Sequence, residues 1–377
     1  MEAALYGRDG FFVRDVEGPA DHFRTSVHAS PLFAGALLRL LRRVDQALGH
    51  PPRLDLVDVG AGRGELLTTM AALLASEEPT PGPGSLAERA RLVAVELRSR
   101  PDGLDLRIGW SREVPDGIVG LLIATEWLDN VPIDIVAVDD VGQLRLVQVD
   151  RSSGKETLGG APDAADVFWL ARWWPLWSPA QRDHRAAQHL VRHGRAGAGD
   201  APAPAAGEQT DPGPRGAGAT GEPADTAWAR AEIGWPRDVA WADAVSAVRR
   251  GCALTVDYGH LRELRPAHGT LTGFRGGRQV TPVPDGSCDV TAHVAMDSVA
   301  CAAGTPYTLI TQREALKALG IDGARPSLHL ARTDPAAYLR ALSAAGSAAE
   351  LIDPAGLGGH WWLLHSVGID HRGSMLR

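Results

Sequence analysis

Five short stretches of the chain carry side chains able to do chemistry, and most follow a run of strand-forming residues. The first is VDVGAGRGELL, where Asp58 precedes Gly60, Gly62 and Gly64. Glycines at alternate positions let the backbone turn sharply and approach a ligand at the carboxyl end of a strand. Their spacing is GxGxG, which lacks the GxGxxG register of a dinucleotide loop and the Lys-Ser/Thr ending of a Walker loop. The second stretch, LVAVELRSR, ends its strand pattern in Glu96, a carboxylate placed to accept both hydroxyls of a ribose. Strand, glycine turn, helix, strand and terminal acid together describe an adenosyl site. NAD needs the same parts plus close approach to a pyrophosphate, so S-adenosylmethionine is the better fit. Asp58 is suited to orient the loop or the ligand's amino group. The plainer readings are a structural glycine turn, a surface carboxylate at Glu96, and an Arg63 that faces solvent or pairs with an acid.

The third stretch, ATEWLDNVP, sets Glu126 and Asp129 just past another strand pattern, near the reactive end of such a ligand. Both acids would equally serve to start a helix. VDYGH places Asp257, Tyr258 and His260 beyond a further buried strand, either in the site or satisfying buried backbone around the turn. DVTAHV supplies Asp289, Thr291 and His293. Helix capping is the first reading for Thr291 and an option for Asp289, while Asp289 and His293 also stand as pocket-lining groups. The intervals between Asp257, His260 and His293 are long and contain no short ligand pair, so no metal site is expected.

These groups need elements to hold them. Ser30-Pro31 opens a helix carrying Leu37, Leu38, Leu41, Val44 and Leu48, which should stop near Gly49. Within 54 to 74 five residues of strand character lead into the glycines and a helix, and strand patterns follow at 92 to 96, 104 to 108 and 118 to 125, alternating with helices as a mostly parallel α/β sheet requires. Residues 133 to 149 read as a hairpin around Asp139-Asp140-Val141-Gly142. Phe168, Trp169, Trp173, Trp174 and Trp177 form an aromatic segment read as core or lid packing. Residues 194 to 226 are low in complexity and lack the large apolar groups that repay ordering, so a flexible loop is expected there. Helical patterning resumes near Trp228 and from Val239 to Val248. It is followed by a strand at 252 to 258, another at 307 to 311, helices at 312 to 319 and 335 to 345, and a last strand at 360 to 367.

Composition narrows the function classes. The 377 residues carry 38 Lys plus Arg against 46 Asp plus Glu, a formal charge of -8, which argues against nonspecific binding to nucleic acid or anionic membranes. No apolar run approaches the roughly 20 residues of a membrane span, and the start, MEAALYGRDGFF, lacks a signal-peptide design. Cys252, Cys288 and Cys301 are too few for a disulfide scaffold. A reducing, cytoplasmic setting is the expectation.

Taken in order, YGRDGFF, HFRTSVHASPLF, VDVGAGRGELL, VAVELRS, IATEWLDNVPIDIV, LTVDYGHLRELR, GTLTGFRGG, DVTAHV and LITQREALKALGI resemble the MidA-like S-adenosylmethionine-dependent methyltransferases, whose mitochondrial relatives are complex I assembly factors. The resemblance implies a class I methyltransferase (Rossmann-like) α/β sheet with inserted helical and hairpin elements. It would divide the chain into an N-terminal segment (1–50) contributing to the cofactor cleft, a first core part (51–132), an inserted hairpin and helical region (133–250) and a second core part (251–377). It also implies cofactor binding by Gly60, Gly62, Gly64 and Glu96, with Thr25 and Ser26 and the acids Glu126 and Asp129 bordering cofactor and acceptor. The mitochondrial members methylate protein arginine. This chain departs from the family pattern at TSVHASP, at AGRG in place of PGRG, at Gly276-Gly277 after GF-R, and at Ala295-Met296 after TAHV.

Methyl transfer to a protein nitrogen, above all arginine, is therefore the leading expectation. Glu126, Asp129 and Asp257 would orient a cationic acceptor, and His260 would relay a proton. A small-molecule acceptor and a non-catalytic, cofactor-binding assembly protein are the alternatives. Self-association as a homodimer is left open.

Overall fold

Four apolar residues among the six of Leu54–Val59 and a nearly unbroken apolar run in Ile118–Thr125 leave these strands buried on both faces, as parallel strands between helical layers must be. The computed structural model describes residues 1–13, 25–76, 84–176, 229–370 and 375–376. Its main sheet has seven strands, here β1 (Leu54–Val59), β2 (Ala90–Val95), β3 (Ile108–Ser111), β4 (Ile118–Thr125), β5 (Val248–Asp257), β6 (Tyr307–Thr311) and β7 (Trp361–Val367). Across the sheet they run β6-β7-β5-β4-β1-β2-β3. Neighbours pair in parallel from β3 to β5, and β7 alone runs antiparallel to both strands beside it. This is the expected class I methyltransferase sheet.

Alternation along the strands divides two cores. Leu54, Leu56, Leu121 and Ile123 pack with the helices Pro31–Leu48 and Glu65–Ala75, whereas Val57, Val59, Leu122 and Ala124 join the helices Trp235–Ser246 and Met296–Ala302. The chain winds outward from β1 to β3 and then returns to β4 on the other side of β1, which makes a switch point at the carboxyl ends of β1 and β4. Open α/β sheets bind their ligands at such points.

The hairpin is present as Asp134–Val138 paired with Leu144–Val149, and it extends to a four-stranded antiparallel sheet with Glu156–Leu158 and Arg230–Ile233. Trp169, Leu170 and Trp174 pack on it with Val136, Ala231 and Ile233, so these tryptophans are core residues. Phe168, in the helix Ala164–Trp173 that carries Trp169 and Leu170, is exposed.

Several boundaries differ from the sequence expectation. The third strand begins at Ile108 because residues 105 to 108 form a turn, in which the Asp105 side chain accepts from the Arg107 N–H at 2.9 Å and the Asp105 carbonyl from the Ile108 N–H at 3.0 Å. Arg230–Ile233 is a strand and the helix starts only at Trp235, with proline in its first turn. Asp289 and Thr291 cap nothing: they lie in a strand that pairs with Thr272–Arg275. The helix from Pro335 continues to Leu351. Residues 194 to 226, Trp177 and Trp228 fall outside the described residues. Among the described residues, no helix is long and apolar enough to cross a membrane.

Candidate active site

Residues following β1, β2, β4 and β5 line a cavity of about 830 Å3, within the range of cofactor and ligand sites. On one side is the glycine turn. Gly60, Gly62 and Gly64 adopt φ of 72°, 59° and 83°, which L side chains rarely tolerate. A Cβ on Gly60 would also stand 2.9 Å from the Trp127 ring.

The turn's N–H groups bond inward. Gly60 and Ala61 donate to the Val95 carbonyl at 3.0 and 3.2 Å, and Gly64 donates to Ala61 at 2.8 Å. The Gly62 N–H goes to Glu96 Oε2 at 3.0 Å and the Arg63 N–H to Glu65 Oε2 at 2.9 Å. A phosphate cradle needs such donors aimed at the ligand. Here they are taken up, two of them by carboxylates, so the turn is unsuited to pyrophosphate.

Asp58 lines the cavity at 2% exposure, and burial, reinforced by Glu65 and Glu96, pushes its carboxyl up to about 8. Glu96 does not itself line the cavity; it accepts the N–H groups of Gly62, Leu97 and Arg98, of which Gly62 and Arg98 do. Thr25 lines the rim and its hydroxyl meets His28 Nδ1 at 2.6 Å, while His28 Nε2 stands 3.7 Å from Glu65. The Glu65 carboxylate holds the His28 imidazole above its ordinary value. Ser26 is fully buried off the cavity, and its N–H donates to Glu126 Oε1 at 3.1 Å.

The acids after β4 sit on a turn that is itself strained. Glu126 lines the cavity with φ of 50°, an uncommon conformation for a non-glycine residue that clusters at functional sites. Burial and the nearby Asp129 push its carboxyl up to about 7. Asp129 accepts from Thr291 Oγ1 at 2.9 Å, from Asn130 Nδ2 at 2.9 Å and from the Tyr258 hydroxyl. Burial raises its carboxyl, against these bonds, which favour the charge. Neither acid caps a helix.

The cap belongs to Asp257. It is wholly enclosed and accepts from the N–H groups of Leu128, Asp129 and Tyr258 at 3.0, 3.2 and 2.9 Å. It thus shapes the acid turn from behind, off the cavity lining. His260 also stands off the lining. Its ring meets Trp174 edge-on at 4.9 Å, Arg265 Nη1 donates to its Nδ1 at 2.7 Å, and burial beside Arg265 drives it down to about 3. It is neutral at physiological pH. Of the four acid–base candidates, the structure brings Glu126 and Asp129 together on the cavity and leaves Asp257 and His260 outside it.

Residues 36–312 match the family described as "Putative S-adenosyl-L-methionine-dependent methyltransferase". The chain belongs to this MidA-like methyltransferase family. Its fold is also that of a superfamily member from Burkholderia thailandensis whose crystal structure contains S-adenosyl-homocysteine. The two share 23% identity with a TM-score of 0.65, over 98% of this chain and 87% of the other. A native crystal structure of an uncharacterized superfamily protein from the same organism aligns at 23% identity and TM-score 0.65, over 98% and 86% of the two chains. No curated protein matches.

Two features of this methyltransferase escaped the sequence reading. One is the wall built from Thr270, Thr272, Phe274 and Gln279; the alternation in Thr272–Arg275 was its available signal. The other is Arg237, 1% exposed, whose guanidinium donates to the carbonyls of Val131, Ala292, His293 and Asp129 at 3.1, 3.0, 3.0 and 2.6 Å. It bolts the acid turn to the DVTAHV segment. Nothing in an Arg two residues into a helix marks it as buried.

Proposed function

We propose that this methyltransferase carries the methyl group of S-adenosylmethionine to a side-chain nitrogen of a protein, most concretely an arginine guanidinium. The observation that carries this reading is the pair Glu126 and Asp129, side by side on the cavity at the switch point. An arginine acceptor is cationic, with a pKa above about 12, and needs carboxylates to hold it and to take its proton.

The residues present suit the cofactor. The glycine turn keeps side chains away from the ligand's path, and the acids Asp58, Glu65 and Glu126 on the lining favour a ligand bearing ammonium and sulfonium charges over an anionic one. Asp58 would hold the amino group, the Gly60–Gly64 backbone would flank the adenosyl portion, and Glu96, with three of its roughly four lone-pair sites taken by N–H groups, has one left for a ribose hydroxyl. Thr25 and Glu126 would border the reactive end, with Ser26 holding Glu126. The related protein crystallised with S-adenosyl-homocysteine supports the choice of cofactor. When bound, the cofactor supplies a methyl group activated on a sulfonium.

The chain contributes position and proton handling. Asp129, tied to Tyr258 and Thr291, is a positioned carboxyl for the acceptor's N–H groups, and Glu126 takes the proton that the nitrogen loses. Because Glu126 titrates at about 7, transfer should rise with pH through that value as the carboxylate forms. Labelled cofactor incubated with bacterial protein extracts and arginine peptides tests the reading. Glu126→Gln should lower turnover about 100-fold or more while S-adenosyl-homocysteine still binds by calorimetry. Unchanged turnover removes Glu126 from the mechanism. Transfer to small amines or alcohols but to no peptide moves the acceptor to a small molecule, and binding without any turnover makes the protein a non-catalytic one.

A further inference from the structure

One wall of the cavity enters the chemistry above only through Thr291, which holds Asp129. Thr272–Arg275 pairs antiparallel with both Arg278–Val280 and Asp289–Thr291, so that Phe274 stands opposite Gln279 on one side and Asp289 on the other, and Thr272 stands opposite Thr291. Side chains two apart on a strand share a face. Thr272, Phe274, Gln279, Asp289 and Thr291 accordingly lie on one face, and all five line the cavity. Val290, on the other face, packs against Ala4, Leu5 and Phe11. The sheet is apolar behind and chemically varied in front.

Within that face one row runs amide, ring, carboxylate. Phe274 is half-buried, and opposite side chains of paired strands lie about 5 Å apart at Cβ. Asp289 is 4% exposed and its Oδ1 has no hydrogen-bond partner among the described residues, although the side chain lines the cavity. A buried carboxylate oxygen without a donor is costly, and a ligand donor would relieve it.

We propose that the row Gln279–Phe274–Asp289 is the acceptor subsite, and that it selects a planar cation by stacking it on the Phe274 ring while the unpartnered Asp289 oxygen accepts its N–H. A guanidinium meets both demands, since it is flat, stacks on aromatic faces and presents donors in a fork; an ammonium meets only the second. This subsite rests on the arginine reading of the acceptor and deepens it. Burial together with Asp129 pushes the Asp289 carboxyl up to about 8, so binding of the cation is coupled to loss of a proton there.

Calorimetry on the full chain loaded with S-adenosyl-homocysteine tests it, with Nα-acetyl-arginine amide as probe and the uncharged citrulline counterpart as control. The wild type should bind the arginine probe in preference to citrulline, more tightly as pH rises from 7 to 9. Asp289→Asn should weaken the arginine probe about 10- to 100-fold, Phe274→Leu about 3- to 10-fold, and Asp289→Glu should restore part of the loss. Affinity for S-adenosyl-homocysteine should hold in all three, which separates the subsite from misfolding. Absence of arginine binding in the wild type, equal binding of both probes, or indifference to Asp289→Asn overturns the proposal. Failure of the two readings is distinguishable. Arginine binding that depends on Asp289 without transfer to any arginine peptide keeps the subsite and defeats the proposed activity. Transfer with an acceptor KM unmoved by either substitution does the reverse.

Discussion

On one side of the cavity, Asp58, the glycine turn and Glu65 come from eight consecutive residues, of which Gly60 to Gly64 donate their N–H groups to Val95, to Glu96 or within the stretch itself. On the other side, Asp129 is held by Tyr258 and Thr291, 129 and 162 positions away. The first side is a local structure that needs only the end of β2 to close it. The second exists only when four distant segments have packed, so its stability rests on buried bonds between them. A lesion in those bonds should damage the acceptor side and largely spare the glycine turn.

Arg237 offers the most severe test of that contrast. Arg237→Met keeps much of the volume and leaves four carbonyls without their donor, those of Ala292 and Asp129 fully buried. By analogy with breaking a buried charged pair, it should cost about 3–5 kcal/mol, read as a lower urea midpoint. Any folded fraction should still bind S-adenosyl-homocysteine while acceptor turnover is lost. A midpoint unchanged from wild type would mean that the two sides are not held differently.

Charge allows the sides to be compared by titration. Asp58 on the local side and Asp289 on the assembled side are both raised to about 8, against about 4 in an unfolded chain. The native state therefore holds more protons than the unfolded state between those values, and stability falls as pH rises through the window. The buried histidines His260, His360 and His365, lowered to about 3, 4 and 4, act in the opposite sense. Their influence ends above about 6.5, where the unfolded chain no longer protonates them. Between pH 7 and 8.5 the acids should therefore dominate, at about 1 kcal/mol for each of the two and roughly 2 kcal/mol together. Asp58→Asn and Asp289→Asn should each flatten the slope by one share. A wild-type slope of zero over that range would show that neither carboxyl is raised.

The same contrast explains what was legible in the sequence. The glycine turn, the closing acid of β2 and the strand before Glu126 are local patterns, and the seven-stranded sheet follows from their alternation with helices. Glu126 and Asp129 were legible because strands of an open sheet deliver their ends to one place. Asp257 followed the same rule, yet its side chain turned back to cap the acid turn, and only packing decides between those orientations. His260 shares this history, since its partners Trp174 and Arg265 arrive from other parts of the chain. The row of Gln279, Phe274 and Asp289 depends on cross-strand register, which the sequence leaves open where flanking turns are rich in glycine, as at Gly276-Gly277.

The smallest expected effect probes how far the assembled side extends. Tyr6, in the helix Glu2–Tyr6, donates its hydroxyl to the Asn130 carbonyl at 3.1 Å and stacks on Phe12 with ring centroids 5.7 Å apart. Its helix packs behind the strand carrying Asp289 through Ala4, Leu5 and Val290. Tyr6→Phe keeps the ring and removes only the hydrogen bond, so about 1 kcal/mol of stability should be lost. Because the bond lands on the turn that carries Glu126 and Asp129, acceptor turnover should respond more than S-adenosyl-homocysteine affinity. Equal loss of both would show that the N-terminal helix supports the whole cavity. In that case the line between a self-contained cofactor side and an assembled acceptor side would have to be drawn past the glycine turn.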